Sequence, residues 1–480
     1  MIGIGHHARI APETAAIASL GPARTFAELD DRHRRLVGAL KRAGVRRNHR
    51  VAVLGTNSFS TLEVITGTLR GGIVPVPMNP LLTDPEISYL LEDSGARWLF
   101  TDRPIDHPAP ERVVMFGDAY ERLLHEAKPA RIASVALGRP MHYTSGTTGR
   151  PKGVWVKPQP ERRAAPISLA FQRLWSITSE DIHLVVSPLS HSAPLRFALR
   201  TLEAGGTVVM LGKFDAEETF AAIDLFSITT TFMVPTHLER ILGLGWNKLG
   251  KRDMSSLRLL AHAGAAIREA TKREAIEIFP HGSLWEFYGS TEGQATRIST
   301  DEWLKRPGSV GRANPDTEIL IADEDGNELP HGETGEIWIR DPKAERWSYW
   351  GDKRKTRAAW RGDAFSVGDT GRLDEDGYLF IEGRKHDTII TGGINVYPQE
   401  IEMVLASHPA VAEVMVYGAE DDEWGQRVCA AVVPKYGQPL DPDRLKAWAR
   451  ERLAGYKTPR VIELWDELPR TATGKLRRPR

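Results

Sequence analysis

The sequence predicts an α/β fold: a large N-terminal domain of layered α/β subdomains plus a small β-barrel-like subdomain, followed by a small mobile α+β C-terminal domain. Three observations predict it. Short apolar runs alternate with helical patterns over most of the chain. From about Thr317 the runs crowd together, with turn residues between them. After Gly383 a compact α+β pattern follows. Strand and helix in alternation put parallel strands between helical layers.

Taken in order, Thr25 and Glu28 form a capping-box pattern ahead of an amphipathic stretch to about Ala43. Val51–Leu54, Trp98–Phe100, Thr207–Met210, Thr230–Val234 and Leu257–Leu260 read as buried strands. Ile87, Leu90 and Leu91, and again Phe220, Ile223 and Leu225, carry the apolar spacing of helices between them. Glu318–Ile321 and Glu336–Ile339 flank Asp323-Glu-Asp-Gly326, and Asp374-Glu-Asp-Gly377 follows. Asp-Gly between apolar residues signals hairpins, hence a small antiparallel barrel or sheet. The last unit has a helix opening at Pro398, strands at Val411–Val416 and Val428–Val433, a helix at Asp441–Leu453 and a strand at Val461–Trp465. No long linker separates it from the rest. The expected division is therefore residues 1–383, a tight hinge at 384–388, and a small domain at 389–480.

Composition narrows the function. Lys plus Arg and Asp plus Glu both number 63 in the 480 residues, so overall charge points to no nucleic-acid partner. No apolar run is long enough to span a bilayer and no signal core opens the sequence, so a cytoplasmic protein with no membrane partner is expected. The single cysteine, Cys429, lies in an apolar run and reads as a small buried hydrophobe.

The most informative segment is Tyr143-Thr-Ser-Gly-Thr-Thr-Gly-Arg-Pro-Lys-Gly153. Its glycines let backbone N–H groups turn toward a ligand and its hydroxyls add donors, a combination suited to a polyphosphate. The Gly-Lys-Ser/Thr ending of a Walker loop is missing. The segment resembles the phosphate-binding signature of the adenylate-forming superfamily: acyl- and aryl-CoA ligases, peptide-synthetase adenylation domains and luciferases. Further signatures follow in the order of that family: Trp285-Glu-Phe-Tyr-Gly-Ser-Thr-Glu-Gly293, Val367-Gly-Asp-Thr-Gly371, Gly383-Arg-Lys-His-Asp387 leading to Thr391-Gly-Gly-Ile-Asn-Val-Tyr-Pro398, and Pro469-Arg-Thr-Ala-Thr-Gly-Lys475.

The resemblance implies roles residue by residue. Thr144, Ser145, Gly146, Thr147, Thr148, Gly149 and Lys152 would cradle the phosphates of ATP, with Gly264, Ala265, Gly289 and Ser290 completing the nucleotide site. Tyr288 would stack on adenine, Thr291 would bond the α-phosphate, and Glu292 would hold Mg²⁺. Asp369 has two acceptor oxygens for the ribose hydroxyls and Arg384 would add a donor; a domain-boundary salt bridge is the alternative for this pair. Lys475 would bridge the incoming carboxylate and the α-phosphate during adenylation. His191 matches the position flanking the acyl pocket, and a satisfied buried histidine is its alternative. The pocket wall implied by the family is Phe197, Met233, Ala263, Gly264, Trp285 and Phe287.

These residues suit a compact aryl or short acyl acid, because aromatic walls favour a small rigid group. The stretch His191–Phe197 has no carboxylate to hold an ammonium, which disfavours a free amino acid. Coenzyme A is the expected acceptor, with a carrier protein in trans or ATP- and nitrite-dependent diazotisation of an aromatic amine as alternatives. Monomer and homodimer are both open. At the hinge, relatives commonly carry Asp or Lys where this chain has His386. An imidazole titrates near neutrality, so its charge would bias the hinge between about pH 6 and 8, with a neutral, solvent-exposed imidazole that merely fills the turn as the alternative. The tail residues Arg477 and Arg478 read as a solvated basic end, with a phosphate contact as the alternative.

Overall fold

The computed structural model describes every residue except Met1, 106–109, 145–150, 246–248, 250–251, 343–344, 386, 392–393, 422–423, 471–475 and Arg480. The largest sheet has nine strands. Its centre is a parallel run in the order Leu284–Gly289, Leu259–His262, Thr230–Met233, Ile182–Val185, Thr207–Met210 and Ala15–Ala18. Antiparallel strands finish both edges, Gln294–Ser299 beyond Leu284–Gly289 and Ala23–Thr25 beyond Ala15–Ala18. The central strands are buried nearly end to end because helices cover both faces. A second, parallel sheet of four strands is built from Val74–Met78, Arg50–Leu54, Trp98–Thr101 and Arg112–Met115.

Local signals held where they were expected. The helix Phe26–Arg42 starts from a complete Thr25/Glu28 capping box. Ile87, Leu90 and Leu91 are buried on the helix Asp84–Ser94. Two details differ. Leu225 is 67% exposed, whereas Phe220 and Ile223 of the same helix are buried. Five residues beyond Phe220 is about 140° around the helix, off the buried stripe. The strand expected at Leu257–Leu260 lies at Leu259–His262. The Arg258 guanidinium turns out to pair with Asp181 and to donate to the Ser176 carbonyl, which holds that residue outside the ladder.

The antiparallel part is a six-stranded sheet that includes Glu318–Ala322, Gly335–Arg340, Asp369–Leu373 and Leu379–Arg384. Asp374 closes the last hairpin by accepting from the backbone N–H groups of Asp376 and Tyr378, with Gly377 at φ 78°. Glu318–Ala322 and Gly335–Arg340 pair as expected, but over an excursion longer than a tight turn, with Ala322 opposite Glu336. A three-stranded sheet of His142–Thr144, Lys152–Trp155 and Ser348–Tyr349 ties this region to the parallel layers.

The final unit has its own sheet and core. Ile389–Thr391 pairs with Ile394–Val396 and with Gly425–Pro434, which also pairs with Val411–Asp421 and Val461–Leu464. Helices Pro398–Ala406 and Pro442–Arg450 pack on it through Ile401, Leu405 and Leu445. Its two long strands run beyond the apolar stretches legible in sequence, because ladder pairing continues from Tyr417–Cys429 to Asp421–Gly425. Cys429 is buried as expected, and burial pushes its thiol pKa up. Among the described residues, no helix is long and apolar enough to cross a membrane.

Candidate active site

The phosphate-loop candidate is a hairpin. Thr144 and Lys152 are cross-strand partners at its base. The tip, which holds Ser145, Gly146, Thr147, Thr148 and Gly149, lies outside the described residues. The arms are fixed from outside: the Tyr143 hydroxyl donates to Asp93 at 2.5 Å and the Tyr89 hydroxyl donates to the Pro151 carbonyl at 3.0 Å. Lys152 faces the Tyr349 ring at 5.4 Å. Burial, followed by the neighbouring Lys355 ammonium, pushes its pKa down to about 8. Two ammonium groups held together make a site that gains when a polyanion enters.

Opposite stands the turn between Leu284–Gly289 and Gln294–Ser299. The Ser290 N–H donates to the Gly293 carbonyl at 2.7 Å, so Thr291 and Glu292 form the tip of a tight hairpin. A Cβ at Gly289 would come within 2.8 Å of the Gln294 Cα and the Gly293 carbonyl oxygen, so only glycine fits there. Glu292 is buried and accepts from the Tyr349 hydroxyl at 3.0 Å, while the Arg139 guanidinium donates to its backbone carbonyl at 3.1 Å. Burial and then Glu292 raise the Tyr349 phenol pKa. One carboxylate is the ligand set Mg²⁺ prefers when phosphates and water supply the rest. Among the described residues, no cluster of three metal-ligating side chains competes for that role.

Asp369 and Arg384 face each other across adjacent strands, and their side chains pair at 3.1 Å. The second Asp369 oxygen accepts from the Tyr288 hydroxyl at 2.7 Å. The salt bridge weighed as the alternative for this pair is therefore formed. Each carboxylate oxygen retains a second lone pair, and the Tyr288 ring also packs against the apolar core of the antiparallel sheet. Burial and the Asp369 charge hold the Tyr288 phenol pKa well above its ordinary value.

Beside this polar wall lies an aromatic cluster. Phe197, Ala263, Phe287 and Trp285 pack with Trp175, Phe232 and Phe171. Trp175 stands 5.3 Å from Phe197, 5.6 Å from Phe287 and 6.2 Å from Trp285 between ring centroids. Met233 is a correction. It is buried in the core on the other face of the sheet, with Leu184, Phe220 and Leu260. Side chains alternate along Thr230–Met233, so Phe232 takes the pocket-side place that Met233 was expected to fill. His191 is half-buried at the N-cap of the helix Ser192–Ala204, which carries Phe197 one and a half turns on. Gly264 and Ala265 are exposed in the loop after Leu259–His262, and Gly264 has φ 94°, a left-handed value that favours glycine.

Two further expected site residues, His386 and Lys475, lie outside the described residues. Their flanks are defined. The N–H groups of Asp387 and Thr388 both donate to the Arg384 carbonyl. Arg470 and Leu476 form an antiparallel bridge around 471–475. Arg478 is neither a solvated tail residue nor free for a phosphate: it pairs with Asp387 at 2.9 Å and Glu402 at 2.7 Å.

Sequence reasoning passed over Tyr349, Lys355, Trp175 and Phe171. Phe171 and Trp175 sit four apart on the helix Glu161–Trp175, with Ser168 and Gln172 buried alongside, a stripe that could have been read. Nothing local marks Tyr349 as the partner of Glu292, 57 residues away.

A glycine-bearing hairpin flanked by two ammonium groups, a buried carboxylate and an aromatic cluster thus stand together at the ends of parallel strands. The pattern of the AMP-binding enzyme family matches residues 5–347, and that of the AMP-binding enzyme C-terminal domain matches residues 400–475. The chain is 36% identical to an indoleacetate–CoA ligase of Aromatoleum aromaticum, across 99% of this chain and 96% of the relative. It is 35% identical to ScoC, a fatty acid–[acyl-carrier-protein] ligase of Streptomyces coeruleorubidus, across 98% and 93%. The o-succinylbenzoate CoA synthetase of Bacillus subtilis, solved with its acyl-adenylate intermediate, superposes with a TM-score of 0.88 at 30% identity, across 98% of this chain and 96% of that one. The same synthetase has also been solved with ATP and a magnesium ion. This chain belongs to the AMP-binding enzyme family and is an adenylate-forming ligase.

Proposed function

We propose that the acid this ligase activates is a compact aromatic one, and that its acyl group passes from AMP to coenzyme A. In the first step a carboxylate oxygen attacks the α-phosphorus of ATP, the bond to the β-phosphate breaks and pyrophosphate leaves. In the second a thiolate sulfur attacks the acyl carbonyl and AMP departs. The observation that carries this reading is one continuous segment. Trp285 and Phe287 line the aromatic cluster, Tyr288 reaches Asp369, and the same strand runs into Thr291 and Glu292.

In this reading, Thr144, Lys152 and the hairpin between them hold the β- and γ-phosphates. Tyr288, Asp369 and Arg384 bind the nucleoside, and Thr291 bonds the α-phosphate. Glu292 holds Mg²⁺, which would neutralise phosphate charge, and Tyr349 orients its carboxylate. His191 flanks the acid. Lys475 positions carboxylate and α-phosphate together, where like charges would otherwise keep them apart. Residues 1–383 form the large domain and 389–480 a small one that turns about 384–388 between half-reactions. The last strand of the antiparallel sheet ends at Arg384 and the next strand, in a different sheet, begins at Ile389, which supports that division.

The relative that loads an acyl-carrier protein favours a second reading, transfer to a carrier protein in trans. Both are tested by acid-dependent ATP–pyrophosphate exchange over benzoic, cinnamic, arylacetic and linear acids, followed by trapping with coenzyme A or a phosphopantetheinylated carrier. Exchange strongest with single-ring or bicyclic aryl acids and thioester formation with coenzyme A are expected. Exchange confined to long linear acids would overturn the aromatic assignment, and acyl transfer only to the carrier would overturn the acceptor.

A further inference from the structure

Arg478 is the third residue beyond Lys475, and its guanidinium is committed three times. One terminal nitrogen donates to Asp387 at 2.9 Å, the other to Glu402 at 2.7 Å, and Nε donates to the Val416 carbonyl at 2.9 Å. The side chains of Arg478, Asp387 and Glu402 are 23%, 31% and 17% exposed, so this is a partly desolvated fork rather than a solvated surface pair. The carboxylates belong to different elements. Glu402 is on the helix Pro398–Ala406 and also accepts from the Val416 N–H. Asp387 is in the hinge turn, whose N–H groups close on the Arg384 carbonyl. Arg384 in turn pairs with Asp369.

The other side of the Lys475 segment is anchored as well. The Arg477 N–H donates to the Pro469 carbonyl at 2.8 Å, and Leu468 is buried against Met415 and Ala431 with Leu476 beside it. Arg478 therefore links the outgoing arm of the lysine segment to the hinge, and through Arg384 the hinge reaches the carboxylate expected to bind ribose. A grip of this kind sets where a short segment can stand relative to the pivot. A displacement of about 1 Å at a reacting group costs on the order of 100-fold in rate.

We propose that Arg478 is a positioning residue for adenylation: by holding Asp387 it registers the Lys475 segment against the hinge. This rests on the assignment of Lys475 to the first half-reaction. The test measures both half-reactions in Arg478→Ala, Arg478→Lys, Asp387→Asn and the Arg478→Ala/Asp387→Asn double variant, with Lys475→Ala as reference and thermal unfolding of each. Acid-dependent exchange should fall about 10- to 100-fold in Arg478→Ala, while thioester formation from preformed acyl-adenylate stays within about threefold. Lys should restore part of the loss. The nearly isosteric Asp387→Asn should lose exchange without loss of fold, and the double variant should be no worse than the poorer single one. Equal loss of both half-reactions, or additive losses in the double variant, would overturn the proposal. If Lys475→Ala itself leaves exchange intact, the underlying assignment fails; if only the Arg478 and Asp387 variants do so, the inference alone fails.

Discussion

The two walls of the candidate site are built on opposite principles. On the proposed acyl side, Phe197, Phe287, Trp285 and Trp175 are packed ring to ring, and the same contacts hold the sheet to its helices. On the nucleotide side, the key groups are polar and each has an internal partner: Asp369 with Tyr288 and Arg384, Glu292 with Tyr349. Removing a ring opens a cavity that its neighbours only partly fill. Changing a partnered carboxylate exchanges one polar arrangement for another. If these are the acyl and nucleotide walls, specificity and stability should be bound together on the first and chemistry and stability separable on the second.

The largest effect that would sharpen this contrast is expected at Lys475. Lys475→Ala should cut acid-dependent ATP–pyrophosphate exchange on the order of 10²- to 10³-fold, the scale of losing one charge-stabilising group. Thioester formation from preformed acyl-adenylate and the melting temperature should barely move. A parallel loss of both half-reactions would break the separation.

Next is Phe197→Ala, which should destabilise the protein by about 3–5 kcal/mol, read by chemical denaturation. Bulkier aryl acids should gain in exchange relative to the best wild-type acid. A variant as stable as wild type would show that Phe197 is not part of the shared packing.

Glu292→Gln should slow adenylation about tenfold and raise the Mg²⁺ concentration needed for half-maximal exchange, because a hard cation prefers a charged oxygen. Stability should stay close to wild type. An unchanged Mg²⁺ titration would remove Glu292 from the metal site.

The smallest effect is a displacement in pH. The folded protein disfavours the charged form of Lys152, whose pKa is pushed down to about 8 by burial and then by Lys355. Arg354 adds to that push and Asp352 opposes it. Below about 8 the ammonium is present and, in the proposed role, would hold phosphate oxygens. As pH rises through that value the charge is lost and KM for ATP should climb. Lys355→Ala removes a like charge, so the climb should begin at higher pH. An identical midpoint in both proteins would disconnect Lys355 from Lys152.

Legibility followed the range of the interactions involved. The Thr25/Glu28 capping box, the Asp374–Gly377 turn and the helix start at Pro398 were readable because their hydrogen bonds span a few residues. The Tyr143–Gly153 and Trp285–Gly293 segments stood out in the sequence because their glycines, hydroxyls and charged groups are contiguous in the chain. The expectation for Met233 failed because period-two alternation says that neighbouring side chains diverge, but not which one faces the pocket. That was decided by how the helices covered the two faces of the sheet.

By itself, the sequence determined the layered α/β plan, a final unit with its own sheet, the order of the motifs and the apolar character of the strands beside them. Each is written in local spacing or in a run of adjacent residues. Only the tertiary structure decided that Tyr349 holds Glu292, that Tyr288 and Arg384 share Asp369, that Trp175 packs with Phe197, Trp285 and Phe287, and that Arg478 pairs with Asp387. Those partners lie tens of residues apart. Their pairing depends on strand register and on which helix face meets which sheet, and those are fixed only when the whole core packs at once.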